Sequence, residues 1–209
     1  MPSIHPSTLI LWCLAAFACG SIPFGLLLVK LAGKGDVRAH GSGNIGATNV
    51  SRVGGKALGI LTLLLDILKG FLPVFLAKKL GLGLDLLALM ALAAVLGHVF
   101  TPWLKFQGGK GVATALGVIL ATHATLVIVP MGLFIFALWL TRHVSLGSIL
   151  AAGMLPVQVL IIDGRNPTQV LCWTALAILV IWKHRENIAR LQAGTESKLW
   201  GAKKEADHA

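Results

Sequence analysis

Three polar segments interrupt an otherwise apolar chain, and each carries groups suited to holding phosphate. The first is Gly41-Ser42-Gly43-Asn44-Ile45-Gly46-Ala47-Thr48-Asn49-Val50-Ser51-Arg52. Its glycines tolerate positive φ and close backbone approach, so successive N–H groups can form an anion nest. Ser42, Asn44, Thr48, Asn49 and Arg52 add side-chain donors. The second, Phe106-Gln107-Gly108-Gly109-Lys110-Gly111-Val112-Ala113-Thr114, sets a glycine-flanked lysine at a helix start. There the free N–H groups and the helix dipole favour an anion. The third, Trp182-Lys183-His184-Arg185-Glu186-Asn187-Ile188-Ala189-Arg190-Leu191, gathers cations, an imidazole and an amide at the end of an apolar run.

Familiar motifs fail on context. Gly41, Gly43 and Gly46 satisfy G-x-G-x-x-G and Asp66 lies twenty residues on, but no alternating strands and helices surround them. Gly109-Lys110 is followed by glycine, and Leu104 stands where a P-loop needs its first glycine. Asn49-Val50-Ser51 matches a glycosylation acceptor, a match that is idle on the cytoplasmic side.

The elements that must position these segments are membrane helices. Of 209 residues, 56% are hydrophobic and only 12% charged, which excludes an ordinary soluble domain. The net charge of +10 is sparse and lies between long apolar runs, so it argues for phosphate-bearing small molecules or anionic lipid and against nucleic acid. The first Lys or Arg is Lys30, at the far end of an apolar stretch that begins near Thr8. That stretch reads as a retained span and not as a signal peptide. Apolar blocks run from Thr8 to Leu31, Leu58 to Leu76, Leu84 to Phe100, Val112 to Thr141, Leu146 to Ile162 and Val170 to Trp182.

The fourth block is too long for one ordinary span and contains His123 and Pro130. Dividing it there makes seven spans and places nearly all basic residues on one side, from Lys30, Lys34, Arg38, Arg52 and Lys56 to the tail. Lys78, Lys79 and Arg165 fall on the other side. Short cytoplasmic loops are enriched in Lys and Arg. The expectation is therefore an all-α polytopic membrane protein with seven helices, its N-terminus outside and its C-terminus in the cytoplasm. Residues 1–193 form one membrane domain with all three polar segments on the cytoplasmic side, and 194–209 form a polar, frayed tail.

Gly20-Ser21-Ile22-Pro23-Phe24-Gly25, the GSGNIGATN run with Arg52, Asp66 with Lys69-Gly70, Gly97-His98 with the Phe106 to Thr114 loop, and Trp182 through Glu196 stand in one order at helix ends. In this the chain resembles the bacterial acyl-phosphate glycerol-3-phosphate acyltransferases of the PlsY family, over nearly its whole length. The resemblance implies a seven-helix enzyme of the bacterial inner membrane that moves a fatty acyl group from acyl phosphate to glycerol 3-phosphate. The product is lysophosphatidic acid, for phospholipid synthesis, and no cofactor or metal is implied.

Carried onto matching positions, the resemblance makes Ser42, Arg52, Lys110 and His184 the catalytic candidates. The substrate-binding candidates are Ser42, Arg52, Lys110, His184 and Asn187, which the resemblance carries over, with Asn44, Thr48, Asn49, Gly108, Gly109 and Gly111 added from the donors and glycines of the loops themselves. A substrate phosphate oxygen would take the hydroxyl proton. Partners are acyl phosphate, glycerol 3-phosphate and membrane lipid, with an acyl-phosphate-producing enzyme as a candidate. Other acyltransferases acting on glycerol 3-phosphate carry a His with an Asp five positions on, and no His here has one.

Several positions keep two readings. Ser42 binds substrate or caps a turn; His184 binds phosphate or packs beside Trp182; Asn187 binds substrate or caps a helix end. Asp66 and Lys69, one turn apart inside a span, brace the site or touch substrate. His98 is expected to orient the site, and Pro23 to kink the first helix. Cys13, Cys19 and Cys172 lie in apolar segments with no disulfide framework. The rival to an enzyme is an anion carrier, which would need a polar path to both sides. A structural membrane subunit is disfavoured by three costly glycine-rich loops.

Overall fold

The computed structural model describes residues 5–164 and 166–199, with the backbone alone at Asp163. Expectations for Arg165, Lys203, Lys204 and the tail beyond Leu199 lie outside the described residues. Within them the fold is all-α: α1 Pro6–Ser21, α2 Phe24–Leu31, α3 Ala47–Gly54, α4 Lys56–Lys79, α5 Leu84–Val99, α6 Val112–Thr122, α7 Ile128–Thr141, α8 Val144–Asp163, α9 Pro167–Lys183 and α10 Arg185–Gln192.

Five stretches are long and apolar enough to cross a membrane: Pro6–Leu31, Lys56–Lys79, Leu84–Leu104, Ala124–Thr141 and Val144–Ile162. Val112–Thr122 and Pro167–Lys183 are shorter apolar helices. The long fourth block does divide. α6 ends at Thr122, a 3-10 turn covers Ala124–Val127, and α7 follows.

Helices pack in pairs, α1 on α5, α4 on α6, α7 on α8 and α8 on α9, with α5 joining α9. Glycines make the tight contacts. A Cβ at Gly20 would meet the Ala94 carbonyl oxygen at 2.0 Å, one at Gly97 the Phe17 oxygen at 2.2 Å, and one at Gly117 the Ile67 oxygen at 2.0 Å. Such small-residue seams let membrane helices associate where lipid supplies no hydrophobic drive. Large apolar side chains such as Ile128, Trp139 and Ile161 point outward, as a lipid-facing surface requires.

Pro23 breaks the first span, as expected, and the break has a built partner. The carbonyl freed at Ile22 accepts the Lys69 ammonium at 2.7 Å, and that ammonium also pairs with Asp66 at 2.7 Å. The Ser21 carbonyl accepts the Thr101 hydroxyl at 2.7 Å. Lys69 thus gives the Ile22 carbonyl a second donor beside the Phe24 N–H, which reaches it at 3.1 Å. This geometry is a brace, and Asp66 also lines the cavity described below.

One expectation is corrected. Residues 194–199 do not fray from the bundle. Thr195 N–H donates to the Arg190 carbonyl at 2.8 Å, Leu199 N–H to the Arg142 carbonyl at 2.8 Å, and the Glu196 side chain is 6% exposed. Three donors around one carboxylate supply the enthalpy that a merely polar tail would lack.

Candidate active site

All three polar segments meet at one end of a single cavity of about 490 Å³. The first segment is shaped by Asn49. Its amide Nδ2 donates to the carbonyls of Val37, His40 and Asn44 at 2.9 to 3.1 Å, and its Oδ1 accepts the Ser42 N–H at 2.9 Å. Gly41 and Gly43 take φ of +62° and +68°, which glycine alone adopts without strain. The loop seats on α2 through Gly25, where a Cβ would lie 1.9 Å from the Ile45 carbonyl oxygen. It then enters α3, and Arg52, in the last turn of that helix, reaches the cavity. Arg52 makes no hydrogen bond or ion pair with another described residue, so its guanidinium is available to a ligand.

The second segment turns through Lys105 and Phe106, both at positive φ, and lays Gly108 and Gly109 against α5. Gly109 N–H donates to the His98 carbonyl at 3.2 Å. A Cβ at Gly109 would fall 2.1 Å from His98 Nε2, and one at Gly108 2.0 Å from the His98 oxygen. His98 therefore holds the loop from beneath, with Asp66 Oδ1 3.9 Å from its Nδ1. Gly111, at φ +85°, is the N-cap of α6, so Lys110 and the first N–H groups of α6 stand at the cavity together.

The third segment closes the ring. The Lys110 ammonium donates to Asn187 Oδ1. Asn187 Nδ2 donates to Glu196 Oε1 at 2.6 Å, which also accepts the Ser145 hydroxyl at 2.7 Å, while Arg190 Nε donates to Glu196 Oε2 at 2.7 Å. Burial pushes the Glu196 carboxyl up, but the bonds from Asn187, Ser145 and Arg190 outweigh it and hold it below the ordinary range. Burial lowers Lys110 to about 8. Glu196 and Glu186 oppose that fall, and Arg190 and Lys183 deepen it. Burial likewise lowers His184 to about 4, although its hydrogen bond to Val180 opposes the fall. Its Nδ1 lies 2.8 Å from the Val180 carbonyl, an acceptor only, so Nδ1 carries the proton and Nε2 presents a lone pair.

Of the sequence candidates, Ser42, Asn44, Thr48, Asn49, Arg52, Lys110, Gly111, His184 and Asn187 line the cavity, and Gly108 and Gly109 support its rim. Glu196, Ser145, Ser148 and Arg190, absent from those candidates, line it too, as do Asp66 and His98. A signal existed for the serines: Ser145 and Ser148 are three apart on an apolar helix and so share a face. Glu196 falls inside the quoted Trp182 to Glu196 run, yet it sits in a polar tail that offers no periodicity to place it.

Beyond the polar end the lining turns apolar, through Val112, Leu116, Met131, Phe134 and Leu138 among others. The described residues include no group of three His, Cys, Asp or Glu side chains placed to hold a metal. None of the three cysteines lines the cavity.

Comparison with known proteins agrees with this geometry. Residues 10–194 match the family model described as glycerol-3-phosphate acyltransferase. The glycerol-3-phosphate acyltransferase of Geobacter sulfurreducens is 52% identical over 183 residues, 88% of this chain and 93% of that one. That of Agrobacterium fabrum is 45% identical over 194 residues, 93% of each. Among solved structures, PlsY (YgiH), an integral membrane glycerol 3-phosphate acyltransferase in its glycerol 3-phosphate form, has a TM-score of 0.86. It is 39% identical over 93% of this chain and 96% of that one. The same protein in its lysophosphatidic acid form has a TM-score of 0.82. A multi-pass membrane fold shared end to end, together with this identity over nearly the full length, makes the chain a member of the PlsY family of glycerol-3-phosphate acyltransferases.

Proposed function

We propose that the protein transfers a fatty acyl group from acyl phosphate to glycerol 3-phosphate and releases lysophosphatidic acid and inorganic phosphate. One observation carries this reading. The N-termini of α3 and α6, with Arg52 from the last turn of α3 and Lys110 just before α6, stand at the polar end of a cavity whose remainder is lined by apolar side chains. Two phosphates and one alkyl chain are what such a cavity suits.

The acceptor hydroxyl of glycerol 3-phosphate attacks the carbonyl carbon of acyl phosphate. A C–O ester bond forms, the bond from that carbon to the phosphate oxygen breaks, and phosphate departs. Because phosphate is a good leaving group, positioning and electrostatic preorganisation supply the acceleration and no protein nucleophile is required. Arg52 grips phosphate oxygens as a fork, and Lys110, steered by Asn187, neutralises phosphate charge. Asn49 and the Gly108-Gly109 pair act through the loops they shape. With its lone pair inward, His184 Nε2 suits a hydroxyl donor better than a phosphate oxygen. A substrate phosphate oxygen, with a second pKa of about 6, accepts the hydroxyl proton.

Seven spans, a cytoplasmic site and a bacterial inner membrane complete the reading, with acyl phosphate delivered by an enzyme that makes it. An anion carrier would need a polar exit, and the far end of the cavity is apolar. Purified protein given labelled acyl phosphate and glycerol 3-phosphate should form lysophosphatidic acid. The glycine-rich cradles suit a compact phosphate, so acyl-CoA should serve poorly or not at all. Comparable turnover with acyl-CoA would overturn the donor assignment, and no product from either donor would overturn the function.

A further inference from the structure

The apolar part of the cavity is graded along one direction, and the grading repeats on separate helices. On α8 the lining runs from Ser145 and Ser148 through Ala151 and Ala152 to Leu155. On α9 it runs back from His184 through Val180 to Leu176, and on α6 from Gly111 through Ala115 to Ile119. Each series keeps one helix face, with steps of three or four residues apart from the adjacent Ala151 and Ala152. The throat at the level of the alanines is wide because the side chains are short. The far end is filled by branched ones.

On α6, α8 and α9 the far end is closed: Ile119 is 5% exposed, Leu155 2% and Leu176 1%. The half-buried side is formed by Leu116 and by α7 and the turn before it, where Val127, Met131, Phe134 and Leu138 are half-buried and, of the lining residues, Pro130 alone is buried. Along α6 the cavity is backed by α4, where the seam at Gly70 and Gly117 leaves the opposite face of α6 to the cavity.

Helical rise sets the depth. From Gly111 to Ile119 and from His184 to Leu176 is eight residues, about 12 Å at 1.5 Å per residue. An extended alkyl chain advances about 1.25 Å per carbon for C–C bonds near 1.5 Å, so roughly ten carbons reach the closed end.

We infer that Ile119, Leu155 and Leu176 form a floor that reads the length of the donor's acyl chain. The inference rests on the function proposed above and adds its specificity. Shorter chains end within the alanine-lined throat and do not touch the floor. Longer chains press on it, and their last carbons must turn toward the half-buried side near Leu116 and Phe134. The occupant is the donor's own acyl chain, because this cavity is continuous with the phosphate-ready end and no other alkyl group of the reaction is tethered there.

The test is the ratio of kcat/KM for hexadecanoyl phosphate to that for octanoyl phosphate, measured with saturating glycerol 3-phosphate in wild type, Leu155→Ala, Ile119→Ala and Ile119→Phe. Opening the floor should raise the ratio, by about fourfold for each methylene newly buried, and Ile119→Phe should lower it. Two enlarging variants on different helices guard against one that fails to fold. A merely structural role for these residues would scale both substrates together. Wild type active but with ratios unchanged across the folded variants would overturn the floor alone. Wild type inactive with every acyl phosphate would overturn the proposed function and the floor with it.

Discussion

The buried ammonium of Lys110 should govern the alkaline limb of the reaction. It has a pKa of about 8, set first by burial. At that value about 90% is charged at pH 7 and about 10% at pH 9, so a step needing the charge should lose roughly tenfold in kcat/KM over those two units. Because kcat/KM reports the free enzyme, its limb should sit near 8. Bound phosphates favour the ammonium, so the limb in kcat should lie higher. Lys110→Arg keeps a charge at every accessible pH, and whatever its absolute rate, its kcat/KM should show no fall near 8. Unfolding would not mimic the limb. A lysine whose folded pKa is depressed below its unfolded value of about 10.4 loses its stability cost as pH rises from about 8 toward 10.4, so its contribution favours the fold there. Glu196→Gln removes the carboxylate that supports the charge and should move the limb below 8. A limb near 8 that persists in Lys110→Arg would refute the assignment.

Arg52→Lys should lower catalytic efficiency about ten- to hundredfold, the worth of one charge-assisted bond at roughly 1.5 to 3 kcal/mol, and unaltered kinetics for glycerol 3-phosphate would make Arg52 a mere interfacial anchor. Gly108→Ala should disable the enzyme more than Gly109→Ala, because its Cβ meets the His98 backbone oxygen at 2.0 Å whereas the Gly109 Cβ meets a side-chain ring that can turn; comparable activities would contradict that geometry. A variant with Cys13, Cys19 and Cys172 all changed to alanine should retain acyl transfer, and rapid quenching with labelled donor should trap no acyl-protein. An ester mapped to Ser42 would replace direct transfer with a two-step route. Reporter fusions after Gly194 should read as cytoplasmic and those within Gly164 to Thr168 as external, and an external tail would undo the seven-span topology.

What could be read from the chain depended on whether a residue's environment is local. The helical class and the division at His123 follow from runs of apolar residues and their interruptions, and the structure divides that block as expected. The glycine-rich loops at the cavity were legible because glycine clusters are costly in helices and signal backbone needed in special conformations. Glu196 was not so legible. Nothing in a tail of Thr, Glu, Ser and Lys says that its carboxylate will meet Ser145 and Asn187, contacts separated by 51 and 9 residues. Asp66 and Lys69 could be paired by their spacing, but the Ile22 carbonyl that Lys69 caps lies 47 residues away, on the other side of a proline break.

That cap ties the two halves of the site to a single physical requirement. Pro23 cannot donate a backbone hydrogen bond, and opening the first span there frees both the Ile22 carbonyl and the room that the Gly41 to Gly46 loop occupies against Gly25. The Phe24 N–H meets that carbonyl at 3.1 Å, and Lys69 from the span opposite adds a charged donor at 2.7 Å; a buried lysine demands a carboxylate, and Asp66, one turn away, supplies it. The same carboxylate faces His98, the residue that backs the Gly108-Gly109 pair. A chain of necessities that begins with one proline in α1–α2 thus ends at the loop presenting Lys110, which is why charges too expensive for a lipid-facing helix sit in the middle of α4.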